Sequence, residues 1–152
     1  DPERKLMIGG DHLLSHISSN PLISKPLDGT GGRTKALIDY RHSLRETAKM
    51  PIELMFGGHG DPILDHVDLI DRRLASQDRR TEKIFELVSE EPRTGHGIAD
   101  AIWGNIALTQ AYLTLSEVVG HLDILLEEGR VVETTRPLED SDLELTFYEA
   151  TK

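Results

Sequence analysis

No cysteine occurs in the chain, which excludes disulfide scaffolds, thiolate metal sites and cysteine nucleophiles. Cations are scarce: 17 Lys and Arg stand against 27 Asp and Glu, a formal net charge of -10. That balance argues against a nucleic-acid surface, which needs a run of cations to displace counterions, although one local basic patch is compatible with it. No apolar run approaches the ~18 residues that cross a bilayer, and the start lacks a basic-then-apolar signal segment. The expectation is a soluble, cytoplasmic chain with no membrane partner. Internal repeats and low-complexity tracts are absent too. Gly29-Thr30-Gly31-Gly32-Arg33-Thr34-Lys35 lacks the G-x-x-x-x-G-K-[ST] pattern and follows no strand, so it is a poor phosphate loop. Ser15, Ser18 and Ser19 have no nucleophile-elbow context, which leaves serine hydrolysis without support.

What is present, in 152 residues, suffices for one ordinary domain or two small ones. Leu6-Met7-Ile8-Gly9-Gly10-Asp11 predicts a short buried strand ending in a glycine turn. Residues 12–34 predict a long structured loop. From Lys35 to Lys49, Ala36, Leu37, Tyr40, Leu44 and Ala48 recur at helical spacing, and Pro51 stops that helix. Ile52 to Phe56 predicts a second strand, followed by a turn at Gly57-Gly58-His59-Gly60-Asp61-Pro62. Two strands make a poor sheet by themselves, so the expectation is a piece of something larger.

Asp65 is placed to cap a helix running from His66 to Glu90 or Glu91, with apolar positions Val67, Ile70, Leu74, Ile84, Leu87 and Val88. Its centre, Ser76 to Lys83, has almost nothing to bury, which predicts a spacer helix about 38 Å long. Beyond Pro92 the pattern predicts a short helix at 97–102 and a helix at 115–127, with Thr114 and Glu117 as a capping box and Gly129 as C-cap. Two strands follow, one opening at Arg130 to Glu133, the other alternating at Leu143, Leu145 and Phe147. Three helices and a hairpin make a winged-helix arrangement. The expected division is residues 1–78, α/β, and residues 79–152, an α+β winged helix. The first carries a net charge of -2 and the second -8. The third helix of the second module offers no Lys or Arg to a phosphate, so DNA is not the expected partner.

Two residues stand out for chemistry. Asp11 follows a strand and two glycines; it is either a turn aspartate accepting backbone hydrogen bonds or a carboxylate at the carboxyl end of an α/β strand, where ligands and metals gather. His59 also follows a strand, and its flanking glycines leave the imidazole a clear path to a ligand. A carboxylate and an imidazole at two strand ends are half of a zinc or iron site. His12 packs beside Asp11 or orients it. His42, His66, His96 and His121 have no ligand spacing with one another.

Gly9-Gly10-Asp11-His12-Leu13-Leu14 with His16-Ile17-Ser18-Ser19-Asn20-Pro21, then Gly58-His59-Gly60 one helix and one strand later, resembles the late segment of metallo-beta-lactamase-fold hydrolases. The region through His121 to Val131 resembles the winged-helix extension of the lactamase-like 2 subfamily. The resemblance implies part of an αββα sandwich holding one or two metal ions, zinc first, with iron or manganese possible. It implies that Asp11 bridges two ions, that His59 completes the second site, and that a metal-bound hydroxide cleaves an ester, thioester, amide or phosphodiester. The H-x-H-x-D-H motif that supplies that family's first four ligands does not occur here. The expectation is therefore a C-terminal portion of a metal-dependent hydrolase, inactive as this isolated chain and prone to self-associate through an uncovered sandwich face. The alternative is a non-catalytic winged-helix recognition or assembly module that binds a basic protein.

Overall fold

The computed structural model describes residues 1–25, 29, 31–105, 108, 110–138 and 142–151. Thr30 of the glycine-rich stretch and the expected hairpin-tip residues Glu139 and Asp140 lie outside them. The elements are β1 (Leu6–Gly10), α1 (Ala36–Ala48), β2 (Leu54–Gly57), α2 (His66–Glu90), β3 (Arg93–Thr94), α3 (Gly95–Trp103), α4 (Ala111–Glu127), β4 (Val131–Pro137) and β5 (Glu144–Ala150). They form two compact units: Asp1–Asn20 with Asp39–Gln77, and Pro21–Ile38 with Asp78–Lys152.

In the first unit β1 and β2 pair in parallel, Leu6 opposite Leu54 and Met7 opposite Met55, with an irregularity between Ile8 and Gly10. Parallel neighbours need a crossover, which α1 supplies. Met55 also exchanges backbone hydrogen bonds with Ile63 at 2.9 and 2.8 Å, folding the turn after β2 back on that strand. Leu13, Leu44, Met55, Ile63, Leu69 and Ile70 form the core, with Met7, Tyr40, Ala48, Ile52 and Leu74 packed around it. The inward residue at the start of α2 is Leu69, whereas Val67 stays 40% exposed. Asp65 caps this helix as its position predicts, its Oδ1 accepting from the Asp68 N–H at 2.9 Å.

The division between units falls at Gln77–Asp78, inside the polar centre of α2. That centre is not bare. Gln77 and Thr81 are buried; the Arg41 guanidinium donates to Gln77 Oε1 at 3.3 Å, and Thr81 Oγ1 lies 2.8 Å from His121 Nδ1.

Among the described residues the second unit joins the later part of α2, α3 and α4 to an antiparallel sheet of order β3-β5-β4. Thr94 Oγ1 caps α3 by accepting from the Gly97 N–H at 3.0 Å. Gly129, at φ +67, closes α4 in a Schellman turn: the Arg130 N–H reaches Leu125 O and the Gly129 N–H reaches Leu126 O. Ile84, Val88, Ile98, Ala99, Val118, Leu122, Leu125, Val131 and Tyr148 make its core.

Two local expectations are corrected. The Thr114–Glu117 capping box does not form: α4 begins at Ala111, so the buried Thr114 hydroxyl donates back to Gln110 O at 3.2 Å. Glu117 instead pairs with Arg80 of α2 at 3.3 Å. In β5 the inward residue is Tyr148, while Leu143 and Leu145 are exposed. On α4, Ser116, His121 and Asp123 are buried. Asp123, 3% exposed, is gripped by the two terminal nitrogens of Arg33. Lys35 pairs with Glu127 at 2.7 Å, and a side chain added at Gly120 would start 2.8 Å from Leu37 Cβ. Arg33, Lys35 and Leu37 thus lie along α4, and the Thr34 N–H donates to Ser24 O at 2.9 Å.

Candidate metal centre

Parallel pairing puts the carboxyl ends of β1 and β2 side by side, so the loops that leave them emerge together. Asp11 is the first residue after β1 and His59 the second after β2. The structure brings them into contact, His59 Nε2 lying 3.1 Å from Asp11 Oδ1, with the side chains 66% and 69% exposed. The pair therefore meets in water, open to a ligand.

The glycines of Gly57-Gly58-His59-Gly60 are there because the two loops nearly touch. A Cβ at Gly57 would lie 2.9 Å from Leu13 O, one at Gly58 2.3 Å from Asp11 Oδ1, and one at Gly60 2.5 Å from Ser15 Oγ. Gly60 in addition has φ +84, a conformation that other residues adopt at a cost.

The Asp11 loop is braced along its length. Ser19 Oγ donates to Asp11 O, and Tyr40 Oη donates to His12 O at 2.8 Å. Arg73, on α2, donates to Leu14 O at 3.1 Å and Ser15 O at 3.3 Å. His12 turns away from solvent, its Nε2 lying 2.9 Å from Thr47 Oγ1. Because the Thr47 hydroxyl gives its own proton to Ser43 O, His12 Nε2–H is the donor. The ring stands edge-on to Tyr40, and burial pushes the His12 imidazole below its usual pKa and the Tyr40 phenol above it.

The remaining candidates go elsewhere. His66 is buried at the start of α2, His42 and His96 are exposed, and His121 is bonded to Thr81. Arg33 and Lys35 of the glycine-rich stretch are engaged by Asp123 and Glu127, which leaves them no phosphate to bind. Sequence reasoning missed a second contact between the same two loops: His16 Nε2 to Asp61 Oδ2 at 2.8 Å. The available signal was spacing, since Asp61 is two residues past His59 and His16 five past Asp11.

Carboxylate oxygen and imidazole nitrogen suit zinc or iron, but a site needs at least three protein donors. Among the described residues no group of three or more His, Asp or Glu side chains is placed to hold a metal. Asp11 and His59 thus fit a metal ion as part of a donor set, which the described residues do not complete.

The first unit's parallel strands and crossover helix belong to a mixed α/β fold that matches metallo-beta-lactamase structures. The metallo-beta-lactamase family protein TTHA1429 of Thermus thermophilus superposes with a TM-score of 0.75 at 23% identity, over 99% of this chain and 43% of that protein. A beta-lactamase domain protein of Burkholderia ambifaria gives 0.76 at 24% identity, over 95% and 41%. The chain is also 38% identical over 125 residues to the probable metallo-hydrolase YqjP of Bacillus subtilis, which covers 82% of this chain and 39% of that protein. It therefore spans about two-fifths of the length of these relatives. The two structural likenesses show the metallo-beta-lactamase fold. No family model matches the chain. Among the described residues no helix is long and apolar enough to cross a membrane.

Proposed function

We propose that this chain is part of a metal-dependent hydrolase and that Asp11 and His59 are two of its metal ligands. The observation that carries the reading is their meeting at 3.1 Å where two parallel strands end. The likeness to a probable metallo-hydrolase supports it. A bound divalent ion, zinc first, would supply Lewis acidity and a lowered water pKa, the requirements for cleaving an ester, thioester or phosphodiester. Asp11, its backbone carbonyl fixed by the Ser19 hydroxyl, would hold the ion through a carboxylate oxygen, and His59 would give up its contact with Asp11 to offer nitrogen. With two ligands, the isolated chain binds zinc weakly and turns over no generic ester or phosphodiester. Metal analysis at equimolar zinc, with an esterase assay on the same sample, tests this. Tight stoichiometric binding with turnover would show that the donor set is complete and differently composed.

The second unit reads as a winged helix that does not bind DNA. Its order of helix, short strand, two helices and hairpin supports the first half of that statement. The second half rests on α4, the helix such a module would present to a groove, which is covered by its own chain: Arg33 on Asp123, Lys35 on Glu127 and Arg80 on Glu117. Titration of fluorescent duplex DNA at about 50 mM salt, where electrostatic attraction is strong, should show no binding. Salt-sensitive micromolar binding would contradict it.

A further inference from the structure

The Asp11–His59 contact is exposed on both sides; the Gly58 N–H ties it to β1 by donating to Gly10 O at 2.7 Å, and the chain beyond His59 is held separately. Asp61 holds it from two directions. Its backbone N–H donates to Ser15 Oγ at 3.0 Å, and its Oδ2 accepts from His16 Nε2 at 2.8 Å. Gly60, between His59 and Asp61, has no room for a Cβ against Ser15 Oγ. The anchor on the other side is itself fixed, because Arg73 holds the Leu14 and Ser15 carbonyls. The chemistry assigned to Asp11 and His59 uses none of these three side chains.

We propose that Ser15, His16 and Asp61 form a latch that holds the His59 turn against the Asp11 loop, with Asp61 the positioning residue. The inference rests on the reading of Asp11 and His59 as the functional pair. His16 and Asp61 are 69% and 79% exposed, so their ion pair adds little to global stability. Its effect is local. Two backbone steps separate Asp61 from His59, and without the latch the glycine-flanked imidazole is restrained only from the strand side, where the Gly58 N–H donates to Gly10 O.

The test uses the 152-residue chain without metal and reads nuclear Overhauser cross-peaks between the His59 ring and the Asp11 β-protons, together with the His59 ring nitrogen shifts. In Asp61→Ala the cross-peaks should be lost and the nitrogen shifts should move to those of a free histidine, with the melting temperature close to the parent's. His16→Ala, which breaks the latch from the other side, should do the same. Asp61→Asn should restore the cross-peaks, because its amide oxygen still accepts from His16. Cross-peaks that persist in both alanine variants, or that Asp61→Asn fails to restore, overturn the latch. Zinc added afterwards to the parent answers the separate question: a latch-dependent signature with no zinc response at His59 keeps the latch and discards the metal reading.

Discussion

A methyl group at position 58 would lie 2.3 Å from Asp11 Oδ1, yet that oxygen is the far end of a side chain that can rotate away. Gly58→Ala should therefore fold with a loss of about 1 kcal/mol or less, while displacing the Asp11 carboxylate from His59. Urea denaturation reads the first effect and zinc affinity the second, and an unchanged affinity would contradict the role given to Asp11. Asp123 presents the opposite case. Removing it leaves the Arg33 guanidinium without its fork partner, so Asp123→Ala should cost about 3 kcal/mol, the low end for breaking a buried pair because Arg33 remains one-third exposed. Glu117 makes a pH prediction. Burial raises its carboxyl above the ordinary 4.5 against the downward pull of Arg80. A raised carboxyl contributes stability that is fully present below its unfolded value and is lost as pH rises through the folded one. Thermal melts should show the parent losing ground to Glu117→Gln between pH 4 and pH 7. Asp11 and His59 were legible because each directly follows an apolar run and glycines. Ser15, His16, Asp61 and Arg73 were not, since their meeting depends on the β1–β2 register and on the path of α2.

At the scale of elements, the strongest local signals held. The α1 spacing with Pro51, Asp65 before α2 and Gly129 after α4 all mark the ends that the structure has. Asp65→Ala should lower stability by about 1 kcal/mol, the usual loss of an N-cap, measurable by denaturant titration. The misreadings share a cause. Alternation in β5 shows two faces without saying which is inward; the choice is made by pairing, where Tyr148 lies opposite Glu133 and packs into the second unit's core. Leu145 is left outside, and Arg136 covers the Phe147 ring at 4.5 Å. Likewise the acidic residues of α4 resemble a solvated face until Pro21–Ile38 supplies their cations from 90 residues away, as Arg33 does for Asp123. A sequence window cannot contain such a pairing.

At the scale of the whole chain, the first unit has a two-stranded sheet and leaves Ile8 81% exposed beside a partly exposed Phe56. Uncovered apolar strands recruit other strands. Light scattering should show concentration-dependent association of the isolated chain, reduced by Ile8→Lys; a monomer at all concentrations would contradict this. Asp11 and His59 are proposed to act together on a metal. The most direct measurement is a zinc titration followed at the Asp11 carboxylate carbon and the ring nitrogens of all seven histidines. The account predicts that Asp11 and His59 respond together with one weak affinity, and that Asp11→Ala further weakens the His59 response. Zinc that shifts His16, His42 or His96 at the same affinity while Asp11 and His59 stay still would contradict it.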